Sequence, residues 1–212
     1  RKVAVAPLDR DKVPAAKPPR VGGGEQGVPT AAVGSAEHRE RIRVQAGRQL
    51  DAMVGLPLVK DKMDQLLATA ANDAAKRARG LQVPERTMHL VFEGPPGTGK
   101  TTAAQILANA YYGAGLVDNP DPIIIRGREL VAGYEGQTDA KVKEIFDRAK
   151  GKVLFIDEFY SIVSGDQDNV GREALNAFND LAEKRRNDTV VILAGYEDEQ
   201  GGLKYLDRYN PG

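Results

Sequence analysis

The sequence predicts an α/β fold in which helices cover both faces of a parallel β-sheet. From residue 89 onward, short apolar runs alternate with amphipathic helical stretches, which is the pattern of such a sheet. A glycine-rich string lies between the first apolar run and the first helix of this series. A later apolar run ends in two adjacent carboxylates. Together these observations favour a sheet whose carboxyl edge carries a polar site.

Four strands and three helices are predicted in this region. The strands are residues 89–93, 122–126, 152–156 and 189–194, and the helices between them are residues 99–112, 138–150 and 171–186. Two of the helices have an apolar stripe at helical spacing that should face the sheet. The stripes are Val142, Ile145, Phe146 and Ala149 in one helix, and Leu175, Phe178 and Leu181 in the other.

The part of the chain before residue 89 is predicted to contain a linker and two helices. Residues 1–34 are rich in proline and glycine with few large apolar side chains, so they cannot offset their ordering entropy and should form a disordered linker. Ser35 is the predicted N-cap of an exposed helix over residues 36–50. A second, one-sided helix is predicted from Pro57 to a C-cap at Gly80. Its apolar positions are Val59, Met63, Leu66, Ala70 and Ala74.

The composition excludes several classes of protein. The 30 basic and 30 acidic residues give a formal net charge of +0, so no global field attracts nucleic acid or an acidic membrane surface. Cysteine is absent, which excludes disulfides and thiolate metal sites. No apolar run reaches the ~18–20 residues of a membrane-spanning helix, and no signal-peptide core is present. A cytoplasmic protein is therefore expected.

The glycine-rich string has the spacing of a phosphate-binding loop. It satisfies G-x-x-x-x-G-K-[ST] between a predicted strand and a predicted helix, as that motif requires. Its residues are Gly94, Pro95, Pro96, Gly97, Thr98, Gly99, Lys100 and Thr101, and Thr102 follows in the helix. Backbone N–H groups of such a loop converge on phosphate oxygens at the positive end of a helix. Lys100 is expected to reach the terminal phosphates and the Thr101 hydroxyl to hold Mg²⁺.

The adjacent carboxylates Asp157 and Glu158 follow a continuous apolar run, as expected for a central strand buried on both faces. They should emerge at the carboxyl edge of the sheet, beside the phosphate-binding loop. Asp157 is predicted to support the Mg²⁺ shell. Glu158 is predicted to polarise the attacking water as a general base, with Lys100 as the second catalytic residue.

These two motifs resemble the Walker A and Walker B pair of AAA+ ATPases. Further strings narrow the resemblance to the CbxX/CfqX branch, which contains red-type Rubisco activases, stage V sporulation protein K and type VII secretion ATPases. The strings lie at residues 53–56, 130–138, 154–158, 191–196 and 210–212, so the resemblance covers roughly residues 50–212. It implies a P-loop NTPase fold, specifically an AAA+ large subdomain over residues 35–212. It also implies ATP and Mg²⁺ as cofactors.

The resemblance assigns roles to residues outside the two motifs. Val54 and Gly55 match the segment that contacts adenine. Tyr134, Glu135 and Gly136 match the pore loop that grips a client polypeptide, although Glu135 replaces the usual apolar residue. Tyr134 could instead be a surface or packing tyrosine. Tyr196 stands where a polar sensor residue is common, and core packing is an equal alternative.

The same resemblance implies a homo-oligomeric ring, with a hexamer as the usual form, acting on a protein client. In the family pattern, an arginine finger, a fifth strand and a C-terminal lid follow the Asn-Pro-Gly string that closes this chain at Gly212. Arg208 precedes that string and is not assigned as the finger. Because an arginine finger can be worth ~10³-fold in rate, the 212-residue chain is expected to hydrolyse ATP poorly.

Three functions remain open at this stage. The first is a protein-remodelling ATPase, the second is a DNA-directed AAA+ ATPase, and the third is a nucleotide-gated assembly scaffold with little turnover. The neutral charge and the Tyr134 loop disfavour DNA as the partner.

GTP specificity is disfavoured because no Asn-Lys-x-Asp string occurs, and a zinc site at His38 and His89 lacks a ligand pattern. The basic run from Lys184 to Arg186 is interpreted as a solvated helix end, with a subunit contact as the alternative.

Overall fold

The fold is a five-stranded, fully parallel β-sheet with helices on both faces. The computed structural model describes residues 2–4, 34–53, 88–134, 136–164 and 168–196, together with isolated positions between 60 and 82. The strands are β1 (Lys2–Ala4), β2 (Leu90–Glu93), β3 (Ile123–Arg126), β4 (Val153–Asp157) and β5 (Val190–Gly195). Their order across the sheet is β1-β2-β5-β4-β3. The helices are α1 (Ala36–Ala52), α2 (Lys100–Gly113), α3 (Thr138–Arg148) and α4 (Asn169–Lys184).

The predicted α/β fold is confirmed, and strands β2 to β5 lie within one residue of their predicted bounds. Two short 3-10 turns, Gly127–Leu130 and Phe159–Ile162, follow β3 and β4. Both predicted helical stripes face the sheet, although Leu181 is only partly buried. The spacing of apolar residues was therefore sufficient to predict strands β2 to β5 and the helices that cover the sheet.

The strand β1 departs from the predicted linker. Its backbone pairs in parallel with β2, with Lys2 opposite Val91 and Ala4 opposite Glu93. The prediction of a disordered linker is therefore wrong for residues 2–4. Strand pairing at the edge of a sheet is a long-range contact, which local composition does not encode. Residues 5–33 lie outside the described residues, so a linker over them and a domain boundary at residue 35 stay predictions.

The sheet is buried on both faces by two separate apolar cores. In β4, Val153 and Phe155 pack with α1 and α2 on one face. Leu154 and Ile156 pack with α3 and α4 on the other face, and all four side chains are fully buried. Strand β4 therefore has the continuous burial predicted for a central parallel strand, and its end is held rigidly between the two layers.

Helix α1 is capped as predicted but is not an exposed helix. The Ser35 hydroxyl accepts a hydrogen bond from the His38 N–H at 3.1 Å. Ala46 and Leu50 are buried, and Ile42 packs against the same core. These three apolar residues recur at every fourth position of α1 and therefore form a narrow stripe that packs against α2. The many charged residues of α1 concealed this stripe in the sequence.

Gly113 allows α1 and α2 to approach closely. A Cβ atom at Gly113 would lie 2.5 Å from Arg43 Cβ, 2.8 Å from Arg43 Cα and 2.9 Å from the Arg39 carbonyl oxygen. The Arg39 guanidinium secures the same junction, since it donates to the carbonyl oxygens of Tyr112 at 2.8 Å and Val117 at 3.0 Å. The packing of α1 therefore depends on a missing side chain at the end of α2.

We expect Gly113→Ala to lower the free energy of unfolding by about 1–3 kcal/mol, because the added methyl group collides with α1 backbone atoms. Gly47→Ala is the matched control, since a Cβ at Gly47 meets no atom within 4 Å. In the interior of α1 that change should stabilise the chain by about 0.5–1 kcal/mol. Urea denaturation of both variants measures the difference. Equal effects of the two substitutions would refute the close-approach explanation.

His89 joins β5 to helix α4 through both ring nitrogens. Its Nδ1 accepts a hydrogen bond from the Val191 N–H at 3.0 Å. Its Nε2 lies 3.1 Å from the Ala182 carbonyl oxygen, which fits a neutral ring that donates from Nε2. Burial lowers the pKa of His89 below 6.5, although the hydrogen bond to Ala182 and the charge of Glu183 oppose that change. The ring is thus structural and is not part of a zinc site with His38.

The stability of the chain should consequently depend on His89 protonation. The unfolded side chain takes up a proton near its ordinary pKa of 6.5, whereas burial holds the folded pKa lower. The contribution of neutral His89 to the free energy of unfolding is therefore fully present above pH 6.5. It is lost as the pH falls from 6.5 towards the lower pKa of the folded state. Urea denaturation between about pH 7.5 and pH 5.5 should show this loss. His89→Gln, which cannot titrate, should have a smaller slope, and equal slopes would contradict the assignment.

The remaining predictions on the helices have mixed outcomes. Residues 60–61, 64–66, 68–69, 72 and 76 are helical and Leu66 is buried, whereas the other predicted apolar positions of this helix lie outside the described residues. The basic run after α4 pairs within the chain: Lys184 with Asp180, Arg185 with Asp147 and Asp188, and Arg186 with Glu183. Among the described residues, no helix is long and apolar enough to cross a membrane.

Candidate active site

A cavity of about 320 Å³ opens at the carboxyl edge of the sheet, where β2, β4 and β5 end. Its lining residues come from the glycine-rich loop, the start of α2, the end of β4 and the end of β5. They are Pro96, Gly97, Gly99, Lys100, Thr101, Thr102, Asp157, Glu158, Tyr160, Gly195 and Tyr196. This edge is where ligands of open parallel sheets bind.

The loop between β2 and α2 has the curled backbone predicted for it. Gly97 and Gly99 adopt positive φ angles of 78° and 85°, which side chains disfavour. The Thr98 hydroxyl donates to the Pro95 carbonyl oxygen at 2.9 Å, and the Gly94 N–H donates to the Gly195 carbonyl oxygen at 3.1 Å. The loop is thereby anchored both to itself and to β5.

Helix α2 presents an uncapped N-terminus to this cavity. Its N-cap residue is Gly99, and no side chain makes a capping hydrogen bond there. The first N–H groups of a helix have no partners within the helix, and the helix dipole favours an anion beside them. The start of α2 is thus suited to phosphate oxygens.

Lys100 places a positive charge in the same cavity. Its Nζ donates to the carbonyl oxygens of Gly94 at 2.8 Å and Pro95 at 2.9 Å, so the ammonium group lies over the loop. Burial lowers the pKa of Lys100 from 10.5, and the negative charges of Asp157 and Glu158 oppose the decrease. The cation and the two carboxylates therefore interact electrostatically, as their positions in the two motifs require.

The residues around Asp157 suit a magnesium ion that also binds phosphate. Mg²⁺ prefers oxygen ligands and commonly uses one or two carboxylates, with phosphates and waters completing the shell. The Thr101 hydroxyl and the Asp157 carboxylate both line the cavity and supply such oxygens. Within the described residues there is no group of three or more His, Cys, Asp or Glu side chains that could hold a metal alone. This donor set fits Mg²⁺ carried in with a phosphate ligand.

Glu158 has an unusual backbone conformation at the mouth of the cavity. Its φ and ψ angles are 49° and 43°, and among the described residues it alone has positive φ without being glycine. Its N–H donates to Asp157 Oδ1 at 3.0 Å. The side chain is exposed rather than packed into the core. Strain of this kind clusters at functional sites because the surroundings must enforce it.

Two tyrosines, Tyr160 and Tyr196, also line the cavity. The rings of Tyr160 and Tyr196 make an edge contact, with centroids 4.5 Å apart and an interplanar angle of 66°. Burial, followed by the influence of Tyr196 and the nearby carboxylates, raises the pKa of Tyr160 to about 12. The Tyr160 hydroxyl is therefore a neutral hydrogen-bond donor at physiological pH.

The structure separates the predicted site residues into three groups. Pro96, Gly97, Gly99, Lys100, Thr101, Thr102, Asp157 and Glu158 share the cavity, while Gly94, Pro95 and Thr98 support it from the loop. Tyr134 is 74% exposed on the loop before α3, and Gly136 follows it with a φ of 80°. Val54, Gly55 and Glu135 lie outside the described residues. The functional roles of all three groups stay predictions.

Sequence reasoning did not find two residues of the cavity, Tyr160 and Gly195. Tyr160 lies in the 3-10 turn Phe159–Ile162, three residues after Asp157, and that tight turn brings its ring back to the cavity. Gly195 is opposite Glu93 in the pairing of β5 with β2, so it borders the loop. Tyr160 could have been proposed from the sequence, because it is only three residues from Asp157 along the chain. Gly195 required knowledge of the strand order.

The fold and the cavity define the class of protein. The family model described as "ATPase family associated with various cellular activities (AAA)" matches residues 90–206. This match contains the glycine-rich loop, both carboxylates and strands β2 to β5. The chain therefore belongs to the AAA family.

Curated relatives come from mycobacterial secretion systems. The ESX-1 secretion system protein EccA1 of Mycolicibacterium smegmatis is 38% identical over 174 residues, covering 81% of this chain and 30% of the relative. The ESX-3 secretion system protein EccA3 of Mycobacterium leprae is 37% identical over 175 residues, covering 82% of this chain and 27% of the relative. The chain thus spans less than a third of the length of these relatives.

A solved structure gives a weaker similarity. The AAA domain of FIGL-1 in complex with ADP has a TM-score of 0.46 and 19% identity, over 69% of this chain and 49% of that one.

Proposed function

We propose that this chain is the ATP-binding and ATP-hydrolysing core of a ring-forming, protein-remodelling ATPase of the CbxX/CfqX branch. The observation that carries the proposal is the meeting of Lys100, Thr101, Asp157 and Glu158 in one cavity at the edge of the sheet. A bound triphosphate needs a cation, a metal-binding hydroxyl and carboxylate, and a base for water, and these four side chains supply them. The AAA membership and the similarity to EccA proteins support the same activity.

In this proposal, each side chain has one task. Lys100 binds the terminal phosphates, and Thr101 and Asp157 hold the Mg²⁺ that neutralises their charge. Glu158 accepts a proton from the water that attacks the γ-phosphate. Gly97, Gly99 and the start of α2 bind phosphate oxygens through backbone N–H groups.

A second cavity supports the proposed position of the adenine base. It has a volume of about 540 Å³ beside α2 and is lined by Gln49, Ala52, Met53, Thr102, Gln105, Ile106 and Asn109. Thr102 lines both cavities, so they adjoin along the same helix. Met53 immediately precedes Val54 and Gly55, the predicted adenine contacts. A mixture of apolar and amide side chains suits a purine base.

The proposed grip on a client depends on the exposed Tyr134. An exposed aromatic ring between Gly133 and residue 135 offers a large contact surface to a polypeptide without demanding a sequence. The relatives act within secretion systems according to their names. We further propose a cytoplasmic location, a protein client and a homo-oligomeric assembly for this protein.

The proposal is tested by measuring nucleotide binding and phosphate release with the same protein. Calorimetry should show that ATP binds, that Mg²⁺ strengthens binding, and that GTP competes poorly. Light scattering should show an ATP-dependent increase in molecular mass as the proposed homo-oligomer assembles. Single-turnover hydrolysis with excess protein should release phosphate from bound ATP. Failure to bind ATP in the presence of Mg²⁺ would refute the proposal.

A further inference from the structure

We propose that Gly127 is a positioning residue for Glu158: its missing side chain allows the turn Gly127–Leu130 to lie against the Glu158 carbonyl and hold the glutamate backbone. This inference rests on the proposed function, because it assigns Glu158 the role of the base. It concerns a residue that lies on a different strand connection from both nucleotide-binding motifs.

Glu158 needs external support to keep its conformation. Its φ of 49° and ψ of 43° are in the left-handed region, which a side chain disfavours. Such a conformation persists only where the surrounding structure enforces it. The Ser161 N–H supplies part of this support by donating to the Glu158 carbonyl oxygen at 2.8 Å.

Gly127 also lies against this carbonyl group. A Cβ atom at Gly127 would lie 2.7 Å from the Glu158 carbonyl oxygen, 2.8 Å from the Phe159 carbonyl oxygen and 3.0 Å from Phe159 Cα. All three are backbone atoms, so no flexible side chain could move aside. Gly127 is required for space rather than for a positive φ angle, since its φ is not in that region.

The segment after Glu158 has little room to retreat from an added methyl group. Phe159 is buried and packs on Phe178 with ring centroids 4.9 Å apart. The Arg128 N–H donates to Ser161 Oγ at 3.1 Å, which ties the turn to the same segment. A methyl group at residue 127 would therefore displace the Glu158 backbone or separate the two turns.

The test is a comparison of Gly127→Ala with Gly47→Ala, an alanine substitution that meets no atom within 4 Å. Single-turnover ATP hydrolysis and equilibrium ATP affinity are measured for both variants and for the unaltered chain. We expect Gly127→Ala to slow hydrolysis by about 10- to 100-fold, since misplacing a reacting group by about 1 Å has costs of this size. ATP affinity should stay within about twofold because Lys100 and the glycine-rich loop are untouched.

A double-variant comparison separates positioning from general destabilisation. If Gly127→Ala acts through Glu158, it should cause no further loss of rate when added to Glu158→Gln. Ser161→Ala removes the hydrogen bond from the Arg128 N–H without adding an atom to the contact. It therefore replaces Gly127→Ala as the test if that variant does not fold. It should slow hydrolysis severalfold, and Ser161→Thr, which keeps the hydroxyl, should restore the rate.

Three results would overturn the inference while leaving the proposed function intact. They are an unchanged rate in Gly127→Ala, a full additional loss in the Glu158→Gln background, or a loss of ATP affinity as large as the loss of rate. Failure of the unaltered chain to bind ATP would instead overturn the proposed function, and this inference with it.

Discussion

Glu158→Gln is expected to stop ATP turnover while ATP remains bound. Glutamine keeps the size of the side chain but cannot accept a proton from water, and a general base contributes about 10²–10⁴-fold in rate. The carboxylate lies at the cavity edge and forms no part of the glycine-rich loop, so phosphate binding should persist. Phosphate release and calorimetric ATP binding, measured on the same preparation, check both halves of the result.

Glu144→Gln is the control for this substitution. Glu144 is an exposed glutamate of α3 that lies outside the cavity, so its rate should match that of the unaltered chain. In the proposed homo-oligomer, Glu158→Gln also distinguishes a remodelling ATPase from an assembly scaffold, because only the ATPase loses its effect on a client. Undiminished hydrolysis by Glu158→Gln would remove Glu158 from the mechanism.

Lys100→Ala is expected to weaken ATP binding by about 10- to 100-fold. Hydrogen bonds to charged groups are worth about 1.5–3 kcal/mol, and about 1.4 kcal/mol corresponds to a tenfold change in affinity. In this chain, Lys100 is the lysine of the cavity. Its Nζ donates to the loop carbonyl oxygens of Gly94 at 2.8 Å and Pro95 at 2.9 Å, and both carbonyl groups remain after the change. Calorimetry and the ATP-induced rise in melting temperature both report this loss.

The control for Lys100→Ala is Lys184→Ala. Lys184 is an exposed lysine at the end of α4 that pairs with Asp180, and surface pairs of this kind contribute about 0–1 kcal/mol. Its ATP affinity should be unchanged. If Lys184→Ala weakened binding as much as Lys100→Ala, the loss would reflect a general effect of removing positive charge.

Local patterns were sufficient to predict the parts of the molecule that depend on neighbouring residues in the chain. The apolar run ending at Asp157 predicted a strand buried on both faces, and the structure has it. The glycine-rich loop predicted a turn between a strand and α2, and Gly97 and Gly99 have the backbone angles that this turn needs. Both features arise from periodicity or from glycine chemistry, which are visible in short stretches of sequence.

Features that depend on distant contacts could not be predicted in the same way. The burial of α1 requires Gly113, which is far from it in sequence and meets Arg43 backbone. Strand β1 requires pairing with β2, and Tyr160 enters the cavity only because a 3-10 turn reverses the chain after Glu158. In each case, the deciding interaction is tertiary, and the sequence near the element does not identify its partner.

The left-handed backbone of Glu158 has a consequence for laboratory evolution of this protein. Glycine adopts that conformation freely, whereas it costs other residues roughly 1–2 kcal/mol. Glu158→Gly should therefore raise the melting temperature, although the backbone entropy that glycine loses on folding offsets part of the gain. A selection that scores survival at high temperature would then enrich variants without a catalytic carboxylate. Thermostable lines of this protein therefore need to be selected by phosphate release after heating, the activity proposed for it.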